Sequence, residues 1–102
     1  MSEKITMDPY VLETLMPDLV GHDRAPSAFL VYLALWARTR RRPGRAPESA
    51  ASHATLAEAT GLSKSAVQNA IRRLARRRLI AIRRENATAT PEYTVLRPWR
   101  RT

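Results

Sequence analysis

Apolar residues recur along this chain at helical spacing in three stretches and at strand-like spacing in two. Tyr10, Val11, Leu15 and Met16 form the first helical stripe. Asp8-Pro9 precedes it as an acidic cap followed by proline at the first helical position. Pro17 either ends this helix or opens a short second turn through Leu19 and Val20, with Gly21 as the stop. From Asp23 and Pro26, the run PSAFLVYLALWARTRR predicts a helix to about Arg41. Phe29, Leu30, Leu33, Trp36 and Ala37 fall on one face, and Val31, Tyr32 and Leu35 largely on another. A helix apolar nearly all round is expected to be central and touched on two sides, with its aromatic residues in the core.

Residues 40–52, RRRPGRAPESAAS, have no hydrophobic period and are expected to form a linker loop at about 41–52. The arginines in it either stay solvated or touch phosphate.

The third helical pattern, in 55–76 (TLAEATGLSKSAVQNAIRRLAR), is the most informative. Leu56 and the small Ala57 face inward from a short helix. Gly61 follows where the backbone turns left-handed, and Leu62 drops into the core. Ser63 is placed to cap a longer helix whose buried stripe is Val67, Ala70, Ile71 and Leu74. The opposite face carries Lys64, Ser65, Gln68, Asn69, Arg72, Arg73 and Arg76, all polar and none acidic. A generic surface helix would mix in Glu or Asp for side-chain pairing. Gln and Asn also have bidentate amides suited to adenine edges. After this unit, 79–84 (LIAIRR) and 92–96 (EYTVL) are short β-favouring runs joined by ENATATP. Pro98 closes the second run, and Trp99 is expected to cap the core edge.

Charge sharpens the picture. Residues 1–37 hold five acids against two bases, a net of −3, while residues 38–102 hold sixteen bases against four acids, a net of +12. Between Glu58 and Glu85 there are eight bases and no acid. With a pI near 11.4, this one-sided charge points to a polyanionic partner. A GC-rich genome explains the choice of Arg over Lys, but not the exclusion of acids from one stretch.

Other chemistry finds little support. The chain has 102 residues and no cysteine, so it suits one domain without a disulfide framework or Cys-based zinc finger. Neither His22 nor His53 has a convincing set of metal ligands in the sequence, and no cofactor is expected. Paired carboxylates, a nucleophile–base pair and a phosphate-cradling glycine loop are all lacking, so an enzyme is not expected. No signal peptide is evident, and the longest apolar run is about ten residues, half of what a bilayer requires. A cytoplasmic, nucleoid-associated protein is the expectation.

Residues 26–97, most closely over 52–84, resemble the winged helix-turn-helix domains of small bacterial and phage regulators. TLAEATGLSKSAVQNAIRRL followed by RRLI carries the likeness. The resemblance implies a mostly α fold with a small β-hairpin, an α+β winged helix-turn-helix at 26–102. An extra N-terminal helical extension occupies 1–25. It implies binding of double-stranded DNA through a recognition helix at about 63–77 and a wing at 79–97, in transcriptional regulation. Ser63, Lys64, Ser65, Gln68 and Asn69 then face the groove, and Arg72, Arg73 and Arg76 face flanking phosphates. Arg83 and Arg84 serve the wing, whose tip (85–90) holds no Arg or Lys and begins with Glu85. Many relatives of this shape have a basic or glycine-rich tip, so flank contacts by Arg83 and Arg84 fit better than base reading by the tip. A homodimer is expected, through helix 9–20 or the outer face of helix 26–40. No small-molecule effector domain is evident. The same architecture serves plasmid or phage replication initiators, and some winged helices bind only other proteins.

Overall fold

Alternation between buried and exposed positions decides where each element lies. A computed structural model describes residues 4–39 and 48–100. Two helical turns, Val11–Leu15 and Asp18–His22, lead into helix α1, Pro26–Arg38. Strand β1, Glu48–Ala50, precedes helices α2, His53–Thr60, and α3, Lys64–Arg76. Strands β2, Ile80–Arg83, and β3, Glu92–Val95, complete the order. This is the expected mostly α winged helix-turn-helix with a helical extension in front. Most of the expected linker, 41–47, with its arginines, lies outside the described residues.

The helical extension winds more widely than an α-helix. Its closing hydrogen bonds run from residue i+5 to residue i, as from Met16 N–H to Val11 O and from Asp23 N–H to Asp18 O. Pro17 lies between the two turns; it has no N–H to give, and its ring crowds the carbonyl four residues earlier. The chain nevertheless stays helical, so of the two readings Pro17 opens a second turn. Gly21 does not stop it: the segment ends beyond His22, where Arg24 turns left-handed at φ +53°. The wide winding also changes the buried stripe. Val11, Leu15 and Leu19 are buried, whereas Tyr10 and Met16 are 39% and 40% exposed, contrary to expectation.

Asp8 caps nothing with its side chain. Its carboxylate accepts from Trp99 Nε1 at 3.0 Å and from Arg100 at 2.7 and 2.8 Å, tying the two ends of the described chain together. Trp99 also stacks on Tyr10, with ring centroids 4.5 Å apart. Trp99 thus covers the core edge as expected, and Tyr10 covers Trp99 in turn.

Helix α1 is the central element. Ala28, Phe29, Val31, Tyr32, Leu35 and Trp36 are buried, and it packs against the extension, α2, α3 and β3. Tyr32 donates its hydroxyl to Leu96 O at 2.9 Å, and Trp36 donates Nε1 to Thr6 O at 2.9 Å. The helix ends three residues before the expected Arg41. Thr39 folds back there, its hydroxyl donating to Leu35 O at 2.7 Å, and it is extended at ψ 129°.

The sheet has three strands in the order β1-β3-β2, both pairs antiparallel. Ile80 lies opposite Val95 and Ile82 opposite Tyr93, while Ser49 pairs with Tyr93 from the other side. β1 corrects the reading of 41–52 as loop throughout. Glu48-Ser49-Ala50 has no strand propensity to show in sequence; it becomes a strand because β3 offers unpaired backbone groups at its free edge.

Candidate nucleic-acid interface

The two helices of the central unit are set by short-range chemistry. Ser52 caps α2, its hydroxyl oxygen accepting from Thr55 N–H at 3.0 Å. Leu56 is fully buried. Gly61 closes the helix at φ +79°, with its N–H on Ala57 O at 2.8 Å. Thr60 steadies the turn by donating to Leu56 O at 2.7 Å and accepting from Leu62 N–H at 3.3 Å. Ser63 then caps α3, accepting from Ala66 N–H at 3.1 Å. Val67, Ala70, Ile71 and Leu74 are buried, as their spacing predicts.

α3 is closed by backbone hydrogen bonds alone. Leu79 N–H reaches Leu74 O at 2.9 Å, and Arg78 N–H reaches Ala75 O at 3.0 Å. That is the double clasp usually built around glycine, here with Arg78 at φ +57°. Leu79 is buried, and it delivers the chain straight into β2.

The outward side of α3 presents Ser63, Lys64, Ser65, Gln68, Asn69, Arg72 and Arg76, all exposed, with Arg73 half-buried at its margin. Several of these side chains are held before any partner arrives. Gln68 Nε2 lies 3.3 Å from His53 Nδ1 on α2. Arg72 donates to Asn69 Oδ1 at 3.0 Å, a bond that does not use the Asn69 amide NH2. Ser63 and Ser65 hydroxyls are 3.2 Å apart. In the wing, Arg83 and Arg84 are exposed, and Arg83 is paired across the strands with Glu92. The tip is ordered by Asn86, whose side-chain oxygen accepts from Thr88 N–H at 3.0 Å and from the Thr88 hydroxyl at 2.9 Å.

Arg73 and Arg77 make up one shoulder of α3 and turn toward the helical extension. Arg77 bonds Asp23 at 2.6 Å and Asp18 at 2.5 Å, and Arg73 lies 3.4 Å from Asp23. Burial pushes the Asp23 carboxyl up. Hydrogen bonds from Arg77 and His22 and the charges of Arg77 and Arg73 outweigh that, leaving it below the usual carboxylate range. The same carboxylates raise the Arg77 guanidinium above its ordinary value. Asp18, His22 and Asp23 gather their ligand atoms within 4.8 Å, a grouping the sequence spacing did not suggest. Both carboxylates already accept from Arg77, so the cluster is an ion-pair network. Sequence reasoning placed Arg73 on the outward face and ended the recognition helix at about residue 77 without giving Arg77 a contact. The acids at 18 and 23 were a signal for a basic neighbour, but nothing local said which arginines they would meet.

An amide-and-cation helix on a two-helix brace is followed by a β-hairpin, and residues 40–89 match the family model described as the MarR family. Over those residues the chain carries a MarR-family winged helix domain. MarR-family proteins are DNA-binding transcription regulators rather than enzymes. The matched segment spans β1, α2, α3, β2 and most of the wing tip, while the helical extension, α1 and β3 lie outside it. Comparison with curated proteins gives no match, and neither does comparison with solved structures. Among the described residues, no helix is long and apolar enough to cross a membrane.

Proposed function

We propose that α3 enters the major groove of double-stranded DNA and that the protein regulates transcription in the cytoplasm, on the nucleoid, as a homodimer. Ser63, Lys64, Ser65, Gln68 and Asn69 lie at base edges; Arg72, Arg76 and, in part, Arg73 meet flanking phosphates; Arg83 and Arg84 meet the backbone beside the wing. The observation that carries this reading is the outward side of α3, where every exposed residue from Ser63 to Arg76 is polar or basic and none is acidic. Phosphate contacts by the arginines supply affinity through counterion release, and the paired amides of Gln68 and Asn69 supply discrimination.

Dimerisation is supported by apolar surface without a cover. Leu12, Met16 and Val20 recur on the outside of the helical extension, at 50%, 40% and 39% exposure, and Leu30 of α1 is 42% exposed. One recognition helix reads few base pairs, and two copies about one helical turn apart, ~34 Å, reach adequate specificity.

The test is a pair of substitutions titrated on a selected duplex and on random-sequence duplex at two or more salt concentrations. Arg72→Ala is expected to weaken binding to both and to flatten the salt dependence. Gln68→Ala is expected to cost ~1–3 kcal/mol on the selected duplex alone. Identical behaviour of the two variants would refute this division of roles, and salt-independent binding by the parent protein would refute DNA as the partner.

A further inference from the structure

The shoulder of α3 that carries Arg73 and Arg77 behaves differently from the rest of its outward side. We infer that Asp18 and Asp23 are positioning residues for DNA binding: they reserve Arg77 as an internal strut, withhold it from phosphate, and limit Arg73 to a partial share. The inference rests on the DNA reading above and adds which cation of the helix does not take part.

Three observations carry it. The first is geometric. Arg77 spends both terminal nitrogens on the extension, one on Asp18 and one on Asp23, across 59 and 54 residues of sequence. Arg73, one helical turn earlier on the same side, lies 3.4 Å from the same Asp23 oxygen. The second is burial. The Asp23 side chain is only 9% exposed, so withdrawing the arginines would leave a carboxylate facing the protein with no compensating charge. The third is the field. Two carboxylates at this shoulder repel a phosphate backbone, whereas α3 itself carries no acid beside Arg72 or Arg76.

The arrangement has a mechanical consequence. α3 is an amphipathic cylinder, and its apolar stripe alone allows some roll about the helix axis. Pinning residues one turn apart, Arg73 and Arg77, to a second element fixes that roll. It thereby fixes the angle at which Gln68 and Asn69 point outward. The extension that supplies both acids lies outside the family-matched segment.

Arginine side-chain Nε–Hε resonances followed during duplex titration test the inference in the unaltered protein. Arg72 and Arg76 signals should shift and the Arg77 signal should stay in place; an Arg77 signal that moves as far as that of Arg76 overturns it. In the folded double variant D18N/D23N, the slope of log K against log salt should steepen by ~0.9 for each arginine released to phosphate. Preference for the selected duplex should also decline as the helix roll loosens. An unchanged slope overturns the inference, and if the double variant does not fold, the resonance experiment decides alone. Absence of salt-dependent binding in the parent protein would instead sink the DNA reading itself, so the two failures are distinguishable.

Discussion

The helical extension and the recognition helix are both amphipathic, and both bury an apolar stripe at three- to four-residue spacing, yet they show solvent opposite chemistry. α3 buries Val67, Ile71 and Leu74 and exposes amides and cations. The extension buries Val11, Leu15 and Leu19 and exposes Leu12, Met16 and Val20. An outward face of cations and amides calls for a polyanion, while an outward face of aliphatic side chains calls for another apolar surface. Their point of contact is the ion-pair cluster in which Asp18 and Asp23 meet Arg73 and Arg77. The extension is therefore not a passive cover: it offers one face to the core, one to solvent and one edge to the recognition helix.

The largest effect that separates the faces comes from within the extension itself. Leu19→Ala removes a fully buried side chain and should cost ~2–5 kcal/mol in chemical denaturation. Val20→Ala, its exposed neighbour, should stay within about ±0.5 kcal/mol of the parent for the isolated fold. Its effect should instead appear as a monomer-shifted sedimentation equilibrium at tens of micromolar. Equal denaturation costs at the two positions would erase the distinction between the faces.

Acid should act next, through two carboxylate contacts that tie the N-terminal segment to the rest. Burial raises Asp8, but hydrogen bonds from Arg100 and Trp99 and the charges of Arg100 and Arg97 bring it below its ordinary value, as the arginines do for Asp23. Both groups therefore ionise more readily folded than unfolded. Their stabilisation is complete above the unfolded carboxylate pKa of ~3.9 and is lost as pH falls through the lower folded values. D23N should reduce stability at neutral pH and shrink its further decline on acidification, measured by denaturant titrations at pH 7 and pH 3. A D23N protein that loses as much stability on acidification as the parent would remove Asp23 from this role.

The smallest effects concern the helix ends that orient the ridge. Gly61→Ala should cost ~1 kcal/mol from its left-handed backbone alone, because a Cβ there would meet no atom within 4 Å. Arg78→Gly should stabilise by a similar ~1 kcal/mol, since Arg78 occupies the glycine place in the clasp that ends α3. Thermal denaturation shifts of opposite sign would bear this out.

Legibility in the sequence follows the range of the interactions involved. α2, Gly61, Ser63 and the α3 stripe were readable because caps, a positive-φ turn and i, i+3, i+4 burial operate within a few residues. The wing strands were readable from β-branched runs and a polar connection. β1 was not, because three small or polar residues became a strand only beside β3. Tyr10 and Met16 were misplaced since their stripe was drawn on a 3.6-residue period, whereas the extension winds wider around Pro17. The helix-ending role of Thr39 was hidden inside a run of helix formers, visible only once its hydroxyl found Leu35 O.

By itself, then, the order of amino acids determined the helix-turn-helix, the exclusion of acids from its outer side, and the two strands of the wing, since each arises from periodicity, capping or charge over one or two turns of chain. Only tertiary structure decided which arginines of that helix face outward and which are held by Asp18 and Asp23, and that Asp8 clasps Trp99 and Arg100 at the far end. An ion pair between residues more than fifty positions apart depends on how packed helices are rolled and placed, and no local pattern encodes that.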